Sequence, residues 1–234
     1  MSRPEGAAVA LFAKAPVAGR VKTRLTPLLT PEEAATVARA SLAATIATFA
    51  GGAAAPLTLF LDGALDDSLA SWVAARGVEV RAQAPGDLGE RLRAAFAALF
   101  EQGAARVIAI GSDSPTLPAE RLRAAEAALR AHDAVIGPAE DGGYYLIGLS
   151  RPEWRLFEGI PWSSDAVARV TLERAATIGA TIASLEPWYD VDDLTTLRRA
   201  LSGSHPESLF RRALGPIEAK IAGLPTTSVS PARS

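Results

Sequence analysis

Short apolar segments alternate with longer helical segments along the chain, and this alternation constrains the fold more than any other feature. The segments at 7–13 and 106–110 are apolar almost throughout, as is typical of strands buried on both faces. The pattern predicts strands at 7–13, 56–61, 78–82, 106–110, 134–136, 144–149 and 181–185. It predicts helices at 31–50, 68–76, 87–102, 119–131, 164–178 and 194–202. Strands that alternate with helices indicate an α/β fold of three layers around a mostly parallel sheet.

The length of the chain limits the number of domains that it can form, and its net charge limits the classes of partner that it can bind. With 234 residues, it is expected to form a single domain over 1–222, followed by a disordered tail over 223–234. Its net charge of -2 provides no general attraction for nucleic acid or an anionic membrane, so neither is expected as a partner. No segment reaches the ~18 consecutive apolar residues of a membrane helix, and a cytoplasmic location is expected. The oligomeric state stays open.

Several common kinds of catalytic site are absent from the sequence. The chain has no cysteine, which excludes thiolate nucleophiles, disulfides and cysteine metal sites. It has no glycine-rich dinucleotide motif after its first strand, no Walker A loop and no Gly-x-Ser-x-Gly motif. Structural or surface roles are expected for its two histidines, His132 and His205. Chemistry is therefore expected from the loops at the carboxyl ends of the strands, where parallel sheets bind ligands.

The loop after the first predicted strand is rich in cations. It contains two of the only three lysines in the chain, together with two arginines, a glycine and a threonine. Clustered cations and exposed backbone N–H groups suit a polyphosphate, whereas the alternative is a solvated basic loop. The residues that suit a polyphosphate are the cations Lys14, Arg20, Lys22 and Arg24, together with Gly19.

Acidic residues follow two other predicted strands. Asp113 lies three residues past the strand at 106–110, where a carboxylate can hold Mg²⁺ together with phosphate oxygens. The alternative for Asp113 is a turn before proline or a helix cap. Asp190 and Asp192 share a face of an extended segment, and Asp193 is expected to cap the helix that follows. The alternative for the whole late group is charge at a helix start.

Two further loops offer weaker signals. The Asp-Gly-Gly sequence at 141–143 precedes a strand and could line an acceptor pocket, although it also suits a hairpin turn. Tyr144 and Tyr145 begin that strand, so one is expected on each side of the sheet. The segment 86–91 could bind a base or ribose, or could simply begin a helix.

These loops carry a resemblance to a known bacterial family over roughly residues 7–200. The matching motifs are Phe12-x-Lys14-x-Pro16-x-x-Gly19-x-x-Lys22-Thr23-Arg24-Leu25, Gly86-Asp87-Leu88-Gly89-x-Arg91, Gly111-x-Asp113-x-Pro115-x-Leu117, Gly137-Pro138-x-x-Asp141-Gly142-Gly143-Tyr144-Tyr145-Leu146-Ile147-Gly148, Pro161-Trp162-Ser163 and Asp190-Val-Asp192. The chain resembles the GT-A-type glycosyltransferase-like family, whose members are often labelled arsenosugar-biosynthesis glycosyltransferases. It also resembles the related phospholactate guanylyltransferases, which belong to the nucleotide-diphospho-sugar transferase superfamily.

The resemblance implies a GT-A-like fold and roles for particular residues. It implies that Mg²⁺ or Mn²⁺ is held by Asp113, Asp190 and Asp192. It implies catalytic roles for Lys22, Arg24 and Asp113, with Lys22 and Arg24 on the donor phosphates. Nucleotide-binding residues are then Lys14, Gly19, Lys22, Thr23, Arg24, Asp87, Gly89 and Arg91. Acceptor-binding residues are Asp141, Gly142, Gly143, Tyr144, Trp162 and Ser163.

The sequence is consistent with three functional hypotheses. The leading hypothesis is a metal-dependent nucleotidyltransferase that moves a nucleoside monophosphate from a nucleoside triphosphate to a small acceptor and releases pyrophosphate. The second is a glycosyltransferase that uses a nucleotide-sugar. Sugar transferases of this fold commonly have Asp-x-Asp in the central loop, whereas this chain has Asp113-Ser-Pro115, which favours the first hypothesis. The third is a nucleotide-binding module without catalysis.

Overall fold

The computed structural model describes residues 6–50 and 55–225, and the predicted tail lies outside this range from residue 226 onward. The strands are β1 (Ala7–Lys14), β2 (Leu57–Asp62), β3 (Glu79–Ala82), β4 (Arg106–Gly111), β5 (Ala134–Pro138), β6 (Tyr144–Leu149) and β7 (Ile182–Ser184). The helices are α1 (Pro31–Phe49), α2 (Asp67–Ala74), α3 (Leu88–Glu101), α4 (Ala119–Ala128), α5 (Val167–Ile178), α6 (Leu194–Gly203) and α7 (Leu209–Gly223). Each strand and helix predicted from the alternation is present, with ends that differ by a few residues.

One helix was not predicted. Helix α7 contains Pro216, which removes a backbone donor and normally interrupts a helix. The helix begins at an N-cap, Ser208, whose side chain accepts a hydrogen bond from the backbone N–H of Arg211. Its buried residues Phe210, Leu214 and Ile221 pack in a cluster with α1 and α6, so tertiary packing offsets the local penalty.

The strands form one seven-stranded sheet in the order β3-β2-β1-β4-β6-β5-β7. Strand β6 runs antiparallel to β4 and β5, and the other neighbouring pairs are parallel. The mostly parallel α/β sheet predicted from the sequence is confirmed. The residues at 139–143 connect β5 to the antiparallel β6, so the Asp-Gly-Gly sequence does form a hairpin connection.

Helices cover both faces of the sheet because the apolar strands alternate their side chains between the two faces. Val9 and Leu11 of β1 pack toward α1, α2 and α4. Ala8 and Ala10 pack toward α3 and α5 on the other face. A third cluster joins the outer side of α1 to α6 and α7. None of the described helices is long and apolar enough to cross a membrane.

Helix N-caps fix where the loops end. Thr30 accepts a hydrogen bond from the backbone N–H of Glu33, and the side chain of Glu33 accepts one in return from the backbone of Thr30. Asp193 caps α6 through the backbone N–H of Thr196, as predicted. Asp87 caps α3 in a similar reciprocal arrangement with Glu90.

Candidate functional site

A cavity of about 420 Å³ opens at the carboxyl ends of β1 and β4. The parallel register of β1 with β4 pairs Phe12 with Gly111, which brings the loops that follow these strands to the same edge of the sheet. The cavity brings together these predicted site residues: Lys14, Lys22, Thr23, Arg91, Asp113, Tyr144, Asp190 and Asp192. Cations and carboxylates from distant parts of the chain therefore face one another across a single cavity.

The centre of this arrangement is an ion-paired lysine. The Nζ atom of Lys22 donates hydrogen bonds to Asp113 and, at 3.1 Å, to Asp192. The Lys22 side chain is 5% exposed, whereas those of Asp113 and Asp192 are 52% and 40% exposed. Burial alone would lower the pKa of Lys22, but the charges of the two carboxylates and their hydrogen bonds raise it above its ordinary value. Lys22 is therefore held as a cation.

The backbone of Lys22 is in the left-handed conformation, with φ 48° and ψ 38°. This conformation is costly for a residue with a Cβ atom, so the surrounding structure must maintain it. The carbonyl of Lys22 accepts a hydrogen bond of 2.9 Å from the backbone N–H of Leu25, which is fully buried. The strained backbone and the buried anchor together direct the ammonium group toward the carboxylates.

Hydrogen bonds draw the late acidic segment to the end of β4. The backbone N–H of Val191 donates to the carbonyl of Asp113 at 2.8 Å. The hydroxyl of Thr116 donates to the Tyr189 hydroxyl at 2.9 Å, and the guanidinium of Arg199 lies 3.9 Å from the centre of the Tyr189 ring. These contacts place Asp190 and Asp192 near Asp113, and the metal site that the resemblance implies for the three acids stays a prediction.

Asp190 occupies a different environment from the other two acids. Its Oδ1 atom accepts a hydrogen bond of 2.5 Å from the Ser114 hydroxyl. Burial raises the pKa of Asp190 to about 6; the hydrogen bond opposes this rise, and the charges of Asp113 and Asp192 add to it. Ionisation of Asp190 is therefore unfavourable, because its carboxylate is removed from water.

The donor chemistry of the site fits a divalent cation that brings other ligands with it. Within 6–50 and 55–225, no group of three or more His, Cys, Asp or Glu side chains is placed to hold a metal ion by itself. Asp113 and Asp192 nevertheless converge on one cation, the ammonium of Lys22. Mg²⁺ commonly uses one or two carboxylates and completes its shell with substrate phosphates and water. The convergent carboxylates suit that mode of binding.

A polar cluster holds Arg91 at the end of β2 and β3. The Nη1 atom of Arg91 donates to Gln83 Oε1 at 3.0 Å, and its Nε atom donates to the Gly86 carbonyl at 3.0 Å. The side-chain amide of Gln83 donates in turn to the backbone carbonyls of Ala13 and Phe60. Arg91 is thus fixed in the lining of the cavity.

An aromatic pair lies at the site, of which Tyr144 lines the cavity and Trp162 does not. Tyr144 and Trp162 meet edge to face, with ring centres 6.4 Å apart. The hydroxyl of Tyr144 is buried and has no hydrogen-bond partner among the described residues, and burial raises its pKa far above the ordinary value. Tyr145 points to the other face of the sheet, where its hydroxyl donates to the Glu186 carbonyl. The expectation that the two tyrosines lie on opposite sides of the sheet is confirmed.

The Trp162 indole packs directly on Gly89 in the first turn of α3, and this contact yields a stability prediction. A Cβ atom at residue 89 would lie 2.8 Å from Nε1 and from a ring carbon of Trp162. We expect Gly89→Ala to lower the free energy of unfolding by about 1–3 kcal/mol, because overpacking outweighs the better helix propensity of alanine. Urea denaturation would measure the change.

Gly203 offers a matched control. It ends α6, and a Cβ atom there would have no heavy atom within 4 Å. Gly203→Ala should leave the free energy of unfolding unchanged or slightly increased. Equal stabilities for the two alanine variants would contradict the packing role of Gly89.

Some predicted site residues do not line the cavity. They are Gly19, Arg24, Asp87, Gly89, Asp141, Gly142, Gly143, Trp162 and Ser163. Asp87 caps α3, and the Asp141 carboxylate accepts a hydrogen bond from the backbone N–H of Gly143 within the hairpin. A Cβ atom at Gly142 would lie 2.0 Å from the Asp165 carbonyl oxygen. The structure thus gives Asp87, Asp141 and Gly142 local structural contacts, and the binding roles of all nine residues stay predictions.

One polar residue of the cavity, Gln83, was not identified from the sequence. Arg20, Leu88 and Ser112 also line the cavity; they lie in loops that the sequence singled out, although no individual binding role was assigned to them. Gln83 directly follows β3, so the rule that ligands bind beyond the carboxyl ends of strands would have pointed to it. The contact of Ser114 with Asp190 joins residues 76 positions apart, and no local pattern indicates it.

The fold is that of the nucleotide-diphospho-sugar transferases, a GT-A-like class. Residues 45–164 match the family of uncharacterized proteins conserved in bacteria termed DUF2064, and the chain belongs to this family. A structure from Desulfovibrio desulfuricans G20, provisionally described as a nucleotide-diphospho-sugar transferase, is 31% identical, with a TM-score of 0.83. The alignment covers 94% of this chain and 98% of that one. These findings confirm the resemblance to a GT-A-type family.

More distant structures share the fold alone. A cytidylyltransferase from Leptospira borgpetersenii is 12% identical, with 96% of this chain and 100% of that chain covered and a TM-score of 0.54. The glucosyl-3-phosphoglycerate synthase of Mycobacterium tuberculosis, in complex with Mn²⁺, UDP and its product, is 14% identical. That alignment covers 95% of this chain and 82% of the other, with a TM-score of 0.50. No curated protein sequence matches the chain.

Proposed function

We propose that this protein is a nucleotidyltransferase that moves a nucleoside monophosphate from a nucleoside triphosphate to a small phosphate or hydroxyl acceptor. The observation that carries the proposal is the meeting of Lys22 with Asp113 and Asp192 at one end of the cavity. Lys14 and Arg20 line the same cavity and add positive charge for a triphosphate. The arrangement offers charge neutralisation and positioning, which suffice for phosphoryl chemistry without a covalent nucleophile.

In the proposed reaction, the donor phosphates lie along the loop from Lys14 to Arg24. An oxygen of the acceptor attacks the α-phosphorus, and the bond from that phosphorus to the bridging oxygen of the β-phosphate breaks. Pyrophosphate leaves with the electron pair of that bond, and a hydroxyl acceptor gives its proton to solvent. Lys22, with Lys14 and Arg20 in the same cavity, would neutralise the charge that develops on the leaving group. Arg24 does not line the cavity, so a role on the leaving group requires its exposed side chain to turn toward the donor.

Asp113 and Asp192, with Asp190 beside them, are the residues that would hold Mg²⁺ or Mn²⁺. Such an ion would neutralise phosphate oxygens and orient the donor. On the acceptor side, Tyr144 lines the cavity and would contact the acceptor. Trp162 supports the ring of Tyr144 and thus shapes this wall of the site.

A glycosyltransferase is the second candidate, and one observation favours it. The Desulfovibrio relative, at 31% identity over nearly its whole length, is described as a nucleotide-diphospho-sugar transferase. In that reaction the acceptor oxygen would attack the anomeric carbon of a nucleotide-sugar, and a nucleoside diphosphate would leave. The donor phosphates would occupy the same cationic loop. A nucleotide-binding module without catalysis is the third candidate.

An assay of the leaving group separates these candidates. The protein is incubated with Mg²⁺ and each nucleoside triphosphate, or with a set of nucleotide-sugars, across a panel of small phosphorylated and hydroxylated acceptors. Acceptor-dependent pyrophosphate release that stops on addition of EDTA supports nucleotidyl transfer. Release of a nucleoside diphosphate from a nucleotide-sugar, without pyrophosphate from any triphosphate, would contradict nucleotidyl transfer and support glycosyl transfer. Nucleotide binding that Asp113→Asn leaves unchanged, without either product, would indicate the non-catalytic module.

A further inference from the structure

The two carboxylates suited to a metal ion are already neutralised by a group of the protein itself. Asp113 and Asp192 both accept hydrogen bonds from the Lys22 ammonium, which is almost fully buried between them. A divalent cation on the same carboxylates would bring a second positive centre to this position. Since like charges at such distances repel strongly, the ammonium and a bare divalent ion compete for this carboxylate pair.

Moving the Lys22 ammonium away from the two carboxylates costs free energy, and the amount depends on which negative group the ammonium then contacts. The ammonium is buried, so displacement by a free metal ion would leave a desolvated cation without a counter-charge. Donor phosphates that arrive together with the metal change this balance. The ammonium can then pair with a phosphate while the metal takes the carboxylates, so every charge keeps an opposite partner.

The surroundings of Lys22 suit this exchange of partners. Lys22 lines the cavity with a strained left-handed backbone, and Lys14 and Arg20 line the same cavity and could bind phosphates there. Asp113 and Asp192 remain half exposed toward the cavity even with Lys22 in place. The carboxylates are thus accessible to a chelate that enters from the cavity.

We propose that Lys22 closes the carboxylate pair to free divalent cations, so that the site takes its metal only as a chelate with the phosphates of its substrate. The substrate is then the metal–nucleotide complex rather than a free nucleotide that joins a resident metal. This inference rests on the proposed function only in requiring a polyphosphate donor, and it holds for nucleotidyl and glycosyl transfer alike.

Titration of the protein with Mn²⁺ alone, followed by electron paramagnetic resonance, tests the proposal. We expect Lys22→Met to bind free Mn²⁺ about tenfold more tightly than the wild type, or better, because no ion pair has to be broken. Lys14→Met is the matched control, since it removes the same charge from the same cavity but from a residue without an ion pair to these carboxylates. Its affinity should stay within about twofold of the wild type. Equal gains in the two variants, or no gain in Lys22→Met, would overturn the proposal.

A second measurement uses the wild-type protein and does not depend on the folding of a variant. The chain has only three lysines, so the nuclear magnetic resonance signal of the Lys22 ammonium can be resolved and assigned. Mg²⁺ alone should leave this signal in place, whereas Mg²⁺ with inorganic triphosphate should shift it. A shift with Mg²⁺ alone at the same concentration would refute the proposal that Lys22 prevents free divalent cations from binding the two carboxylates. Failure of the pyrophosphate assay would not affect either measurement, because neither involves turnover.

Discussion

Replacing Asp113 by asparagine should lower the turnover number of the transfer reaction by about 10²- to 10³-fold, the effect of losing one electrostatic contact to developing charge. Asparagine keeps the shape of the side chain but cannot supply the negative charge that a divalent cation requires. It also removes one of the two carboxylates that hold the Lys22 ammonium in place. Steady-state kinetics with saturating donor and metal, by release of the leaving group, would measure the loss.

Asp193 provides the control for this experiment. It lies next to Asp192 in the sequence, but its side chain caps α6 rather than joining the ion pair with Lys22. Since asparagine is as good an N-cap as aspartate, Asp193→Asn should keep both turnover and stability close to the wild type. If Asp113→Asn retained the wild-type turnover while folding normally, Asp113 would have no part in the reaction.

Replacing Asp190 by asparagine should stabilise the protein at neutral and alkaline pH. Burial raises the pKa of Asp190 from 3.8 to about 6. At about 1.4 kcal/mol for each pKa unit, the ionised side chain therefore lowers the free energy of unfolding by about 3 kcal/mol above pH 6. Asparagine carries no charge and still accepts the hydrogen bond from Ser114. The gain in unfolding free energy should therefore be largest near pH 8 and should shrink as the pH falls from 6 toward 4. Urea denaturation over this range would measure it.

Asp133 provides a control, because its replacement by asparagine should change stability in the opposite direction. Its carboxylate accepts hydrogen bonds from Arg151 and Thr181, and these contacts lower its pKa to about 2. The contribution of Asp133 to stability is present above its unfolded pKa and is lost as the pH falls through about 2. Asp133→Asn should thus destabilise the protein near neutral pH. If Asp190→Asn destabilised the protein by a similar amount at pH 8, the ionised Asp190 would be stabilising, contrary to the prediction.

Most of the fold could be predicted from the sequence because its signals are local. The apolar segments at β1 and β4 are buried on both faces, and the capping residues Thr30 and Asp193 begin helices at the expected positions. Helix α7 was not predicted; it contains Pro216, and packing against α1 and α6 offsets the local penalty of that residue. The antiparallel direction of β6 follows from the hairpin at 139–143, where the sequence left two alternatives open.

The site was predicted in outline for a similar reason. The rule that parallel sheets bind ligands beyond the carboxyl ends of their strands selected Lys22 and Asp113. It could not show that Asp87 and Asp141 make hydrogen bonds within their own helix start and hairpin, because both local and ligand roles suit the same residues. Nor could it show that Trp162 covers Gly89 and supports Tyr144.

By itself, the sequence determined the strands, the helix starts and the loops that carry charge, since each depends on residues close together in the chain. The tertiary structure alone decided that Lys22 neutralises Asp113 and Asp192, which lie 91 and 170 residues away along the chain. Strand order places β1 beside β4, and the hydrogen bond from Val191 to Asp113 draws in the late acidic segment. No local pattern encodes these pairings, because they result from the packing of the whole sheet and its helices.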